Sequence, residues 1–310
     1  MQPFRYTLSN NGTVAGIHCI PPPTSTSSVK HRPLIVGLHG GCYDSQYFDA
    51  TPDCSASATS TALGVPFVAI DRPSYGGTSS ILPIPEGSDF AQETGIWLHR
   101  YILPKLWSEI GVPNGCNCIV LLCHSLGVMG GVVAAALHAQ NDIASYPLGG
   151  LIASGMGDKQ SVFTKGDPPS FIPVDANHAL FPLDDKDNIM FKPGTVSPEV
   201  LEQSERLNAV CPLPETANFV PEWLSIWKEK WAAFVSVPVM FSLVGDDPFF
   251  ISTEEEVETC VRAFKNSSRV DGSLIKDAPH CVELSRWSLG WYARCFGFAM
   301  ECSASYVTSS

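Results

Sequence analysis

Ser125 stands on the most chemically suggestive turn of the chain, Cys123-His124-Ser125-Leu126-Gly127. Before it runs Cys118 to Leu122, short, apolar and partly β-branched, the pattern of a fully buried strand. After it runs Val128 to Leu137, the pattern of a buried helix. A serine on a sharp strand-to-helix turn is lifted above the sheet edge, and the helix N-terminus beneath it aims backbone N–H groups at whatever the serine attacks. Such a hydroxyl is a weak nucleophile until a base takes its proton. His280 is suited to do so near neutral pH and to pass the proton to a leaving group. A carboxylate on the far ring nitrogen, from Asp246 or Asp247 in Gly245-Asp246-Asp247-Pro248, would fix the tautomer and steady the imidazolium. Each of these groups follows an expected strand immediately or closely, in the chain order serine, acid, histidine. The chemistry they predict is acyl transfer.

The elements that must carry these groups alternate between strand and helix, which predicts a mostly parallel, doubly wound sheet covered on both faces. Phe4 to Leu8 and Thr13 to Ile20, joined through Asn11-Gly12, read as an antiparallel hairpin. Pro21-Pro22-Pro23 and the Ser/Thr run after it read as a loop. Further strands are expected over Leu34 to Leu38, Val65 to Ile70, Leu148 to Ala153, Val237 to Val244 and Ser273 to Ile275. Helices are expected over Ser88 to Ile110, kinked or interrupted at Pro104, over Ser252 to Phe264 with Ser252 as N-cap and acids in the first turn, and over Glu283 to Met300. From about Val162 to Phe234 no convincing strand is found. Ser197-Pro198-Glu199-Val200 opens one helix there, and Pro221 to Phe234 forms another. The resulting organisation is a core of residues 1–158 and 236–310 with a helical cap, 159–235, inserted over it.

At 310 residues with 45% hydrophobic and 16% charged residues, the chain is globular and able to bury a large core. A net charge of −12 and no basic cluster exclude nucleic acid and anionic membrane surfaces as partners. Residues 118 to 137 lack Asp, Glu, Lys and Arg and contain Gly127-x-x-x-Gly131, as membrane helices do. Aromatic belts and flanking basic residues are missing, however, and a His-Ser pair would sit mid-span, so no membrane span is expected. Met1 to Tyr6 lacks the basic-then-apolar run of a secretory signal. The eleven cysteines are scattered, and Cys116-x-Cys118 has no partner pair that would make a zinc site. Reduced, buried thiols in a cytoplasmic protein fit this usage.

Taken together, His39-Gly40-Gly41, Asp71-Arg72-Pro73-Ser74-Tyr75-Gly76-Gly77, the Ser125 turn, Gly245-Asp246-Asp247-Pro248 and Ala278-Pro279-His280 make the chain resemble the α/β-hydrolase superfamily, of the cap-bearing serine hydrolase or esterase type. The resemblance implies the α/β-hydrolase fold and a catalytic set of Ser125, Asp247 and His280. Asp247 is the family position because it directly precedes Pro248. Asp246 is the reserve acid, and Asp158, after the Leu148 strand, is a third candidate because some of these hydrolases place the acid there. The resemblance also implies an oxyanion hole from the backbone N–H groups of Leu126 and Gly41, with Cys42 as the alternative to Gly41, and a shaping role for His39. Cys123 departs from the glycine usual at its position.

Tyr43, Phe249 and Phe250 follow strand ends and are candidates to touch substrate, and Tyr75 is close enough in the chain pattern to join them. Trp223, Trp227 and Trp231 share one helix face and either dock the cap or, at Trp227, line an apolar pocket. Asp184-Asp185-Lys186-Asp187 reads as an exposed cap loop, and the chemistry requires no metal or cofactor. The expected activity is hydrolysis of an ester, lactone or thioester of a fairly apolar small molecule, the aromatic, cysteine-rich composition suggesting specialised metabolism. C–C bond hydrolysis or acyl transfer by the same groups, or a ligand receptor on this fold, are the alternatives.

Overall fold

A computed structural model describes residues 1–22, 31–141, 143, 145–161 and 171–309. The expected Ser/Thr loop, 23–30, and part of the expected insertion, 162–170, lie outside the described residues. The frame is an eight-stranded sheet of β1 (Gln2–Thr7), β2 (Thr13–Cys19), β3 (Pro33–Leu38), β4 (Phe67–Ile70), β5 (Cys118–His124), β6 (Leu148–Ser154), β7 (Val239–Asp246) and β8 (Val270–Pro279), in the spatial order β1-β2-β4-β3-β5-β6-β7-β8. β1 and β2 form the Asn-Gly hairpin, and β2 joins β4 antiparallel. From β4 to β8 every pairing is parallel. Parallel neighbours need crossovers that return over the sheet, so helices cover both faces. α1 (Ala56–Leu63) and α8 (Ser288–Ser309) pack with Ile35, Val120 and Leu122 on one face. α2 (90–111) and α3 (Gly127–Ala139) pack with Leu34, Val36 and Leu121 on the other. The alternation along β3 and β5 is the period of two that a strand imposes.

Several elements differ from the sequence expectation. Helix α2 loses its regular α pattern around Pro104 but does not end there. Wide π turns at Leu98–Ile102 and Trp107–Gly111 flank the short α stretch that contains it, so the missing N–H is absorbed without ending the helix. Helix α7 (Glu254–Val261) is capped by Thr253, whose hydroxyl accepts from the Glu256 N–H, and not by Ser252. β8 is ten residues long, where three were expected, because its outer face is half-exposed and shows no apolar run.

Between β6 and β7 lie α4 (Leu183–Met190), α5 (Leu213–Asn218) and α6 (Leu224–Lys230), with a single turn at Pro198–Leu201 whose Ser197 makes no side-chain cap bond. Contrary to expectation, this segment contains a small antiparallel sheet of Ile172–Pro173, His178–Leu180 and Cys211–Pro212. Strands of two or three residues are too short to show a period. Asp184 to Asp187 form a helix, not an exposed loop, and Lys186 is 1% exposed. All eleven cysteines are free and all but Cys19 are buried; burial pushes the Cys118 and Cys281 thiols up to about 12. Among the described residues no helix is long and apolar enough to cross a membrane.

Candidate active site

Ser125 follows β5 directly and precedes α3, with φ at 50°, the left-handed region that a non-glycine residue adopts only when its surroundings hold it there. The holding contacts are the Ser125 N–H to the Ser154 carbonyl (2.8 Å) and the Val128 N–H to the Ser125 carbonyl (2.9 Å). Gly127 is required by close approach, since a Cβ there would lie 2.5 Å from the Leu38 carbonyl oxygen. Cys123 is accommodated by a second glycine. A Cβ on Gly131 of α3 would come within 2.4 Å of the Cys123 sulfur, so the volume added on the strand is matched by volume removed from the helix behind it.

The Ser125 hydroxyl lies 2.9 Å from His280 Nε2, and His280 Nδ1 lies 2.8 Å from Asp247 Oδ2. All three side chains are buried, and Asp247 is wholly so. The Asp247 carboxylate also accepts from the Phe249 N–H (2.8 Å) and the Phe250 N–H (3.3 Å), contacts that fix its orientation. A register shift between β7 and β8 at Val244/Asp246 turns the chain as it leaves the sheet, a device that commonly re-aims side chains beside sites. The other two acids lie elsewhere. Asp246 points outward and pairs with Lys192 at 2.8 Å. Asp158 accepts from Trp227 Nε1 (2.8 Å) and from Lys228 Nζ (2.7 Å).

Gly40 and Gly41 lie over Ser125, and a Cβ on Gly40 would sit 3.0 Å from the Ser125 Cβ. His39 is fully buried and bonds within this loop, Nδ1 to the Gly40 carbonyl (2.7 Å) and Nε2 from the Arg72 N–H (3.1 Å). Burial, and then the Arg72 charge, hold its pKa well below the ordinary histidine value. Behind His280 lies a network absent from the sequence reading. His124 stacks on Tyr47 and its Nδ1 meets Ser154 Oγ at 3.1 Å, while the fully buried Glu283 accepts from Tyr47 (2.7 Å) and Trp291 (2.8 Å). Burial raises the Glu283 pKa and lowers that of His124. The only sequence signal for this network was a polar residue inside an apolar run.

A cavity of about 230 Å³ opens onto Ser125 and His280, with Gly41, Tyr43, Leu126, Phe249 and Phe250 from the sheet side of the molecule among its walls. Gln160, Phe171, Phe181, Met190, Phe219 and Val220 of the inserted segment are also in the wall. Trp227 is not in the wall. It packs against Trp223 and Phe264, held by its bond to Asp158, because its helix face turns to the core. Tyr75 is also outside the wall, its hydroxyl being bonded to Glu215.

The alpha/beta hydrolase family matches residues 35–289, and the chain belongs to it. No curated protein sequence matches the chain. Among solved structures, a soluble variant of monoglyceride lipase from Saccharomyces cerevisiae is similar over 97% of this chain and 95% of its own, at 14% identity and a TM-score of 0.66. The N-acyl homoserine lactonase AidH complexed with N-butanoyl homoserine is similar over 97% of each chain, at 13% identity and a TM-score of 0.61. A thermophilic esterase from Thermogutta terrifontis is similar over 98% of this chain and 100% of its own, at 17% identity and a TM-score of 0.57. At such identities the likeness is one of fold.

Proposed function

We propose that the protein is a serine hydrolase that cleaves an ester, lactone or thioester of a small, fairly apolar molecule through an acyl-enzyme on Ser125. The observation that carries this reading is the hydrogen-bonded chain from Ser125 through His280 to Asp247 at the floor of an aromatic cavity. As Ser125 Oγ attacks the acyl carbon, His280 Nε2 takes its proton and Asp247 holds the Nδ1–H tautomer. The negative oxygen of the tetrahedral intermediate is received by the N–H groups of Leu126 and Gly41. The imidazolium then protonates the leaving group, and water, activated by the same histidine, releases the acid. The inserted segment, 159–235, acts as the cap, and its described residues Phe171, Phe181, Met190 and Phe219 stand in the cavity wall. Its apolar side chains favour an acyl or alcohol part without charge. The lipase, lactonase and esterase neighbours share the fold on which this chemistry is carried. Ten buried, unpaired thiols suit a reducing compartment, which supports a cytoplasmic location.

A panel of p-nitrophenyl esters of graded acyl length, with small lactones and thioesters, tests the reading. Turnover is expected on short and medium apolar acyl groups, with Ser125→Ala reducing kcat by about 10⁴-fold or more. An alanine variant that turns over the same ester at a near-native rate contradicts covalent catalysis.

A further inference from the structure

The peptide that would offer the second oxyanion donor is flanked by glycines, and such a peptide rotates easily unless something holds it. Its carbonyl, that of Gly40, receives two donors. One is His39 Nδ1 at 2.7 Å; because Nε2 of the same neutral ring accepts the Arg72 N–H, the ring proton must sit on Nδ1. The other is Arg72 Nη2 at 3.1 Å. Arg72 is itself fixed from the inserted segment. Glu215 of α5 grips the guanidinium with both carboxylate oxygens, Oε1 to Nη1 and Oε2 to Nη2 (3.2 Å), and Oε2 also accepts from the Tyr75 hydroxyl. Arg72 lies 4.7 Å over the Tyr75 ring, and both members of the ion pair are 1% exposed.

A buried pair of this kind is costly to desolvate, and apolar residues of similar volume would dock two segments equally well. Its geometry offers what an apolar contact lacks, a directed grip on one carbonyl. In a trans peptide the carbonyl of one residue and the N–H of the next point in opposite directions. Anchoring the Gly40 carbonyl on Arg72 therefore sets the direction of the Gly41 N–H. The loop is tied a second time two residues on, where the Cys42 carbonyl accepts from Lys186 Nζ (2.6 Å) and from the Ala209 N–H (3.0 Å), both in the inserted segment.

We infer that Glu215 is a positioning residue for the reaction: acting through Arg72, it holds the Gly40–Gly41 peptide in the orientation the oxyanion hole requires, so the hole is complete only with the inserted segment docked. This inference rests on the serine-hydrolase reading above.

The test compares the wild type with Glu215→Gln and with the double variant Arg72→Met/Glu215→Met, using p-nitrophenyl butyrate and thermal unfolding. Removing both charges avoids stranding one, so the double variant is expected to unfold near the native temperature. Its kcat should nevertheless fall about 10- to 100-fold, with KM changed less than about twofold, because a misplaced donor affects the transition state and not ground-state binding. Glu215→Gln, measured below its own unfolding temperature, should show the same split. A trifluoromethyl ketone, whose adduct on Ser125 is an oxyanion, should lose affinity in step with kcat. A folded variant of either kind with kcat within about twofold of native, or with its loss confined to KM, overturns the assignment. A wild type that neither hydrolyses the ester nor binds the ketone indicts the serine-hydrolase reading instead, so the two failures are distinguishable.

Discussion

Ser125 sits in a left-handed backbone conformation that costs a non-glycine residue on the order of 1–3 kcal/mol, and that strain is what presents its hydroxyl to the ring of His280. The three candidate acids differ in what each carboxylate touches. Asp247 faces His280 and two backbone N–H groups, Asp246 faces Lys192 at the surface, and Asp158 faces Trp227 and Lys228. Under the proposed mechanism Asp247→Asn should lower kcat by about 10⁴-fold, since an amide favours the wrong tautomer of the histidine. Asp246→Asn should stay within about twofold of native, because an exposed ion pair contributes little. Asp158→Asn should leave kcat alone and lower the stability by about 1–3 kcal/mol, as a buried indole N–H loses its charged acceptor. Steady-state kinetics with thermal unfolding separates the three. A large kcat loss at Asp246 or Asp158 would move the acid there.

At the scale of elements, the parallel strands and the turn after β5 were legible in the chain because buried strands read as continuous apolar runs bounded by turn residues. The Cys123 departure was legible too, but its compensation was not. Gly131 reads as one small residue among many until the helix is laid across the strand. The match predicts a coupling. Gly131→Ala should cost about 1–3 kcal/mol through contact with the Cys123 sulfur, and Cys123→Gly in the same molecule should recover most of it. Unfolding free energies of the two single variants and the double variant measure this, and strict additivity would refute it. The inserted segment was the least legible part. Its strands are two or three residues long, Lys186 looked like one charge in an acidic loop, and the partnership of Glu215 with Arg72 joins positions far apart in the chain. Trp227 reads from its helix face as a docking residue with pocket lining as the alternative, and its packing against Phe264 and its bond to Asp158 place it in the core.

Across the whole molecule, β5, β7 and β8 run parallel and release their chains at the same edge of the sheet, so groups separated by 155 residues of sequence meet within a hydrogen bond. In open α/β sheets this edge is where ligands bind, and here it carries an aromatic cavity whose described lining comes from both the sheet side and the inserted segment. Under the proposed mechanism this convergence makes Ser125 a nucleophile. Treating the intact protein with a fluorophosphonate and mapping the adduct by peptide mass spectrometry tests it most directly. A single adduct on the Ser125 peptide is expected, absent from Ser125→Ala and greatly slowed in His280→Ala. No adduct on the folded wild-type protein, or one that persists undiminished in Ser125→Ala, would contradict it.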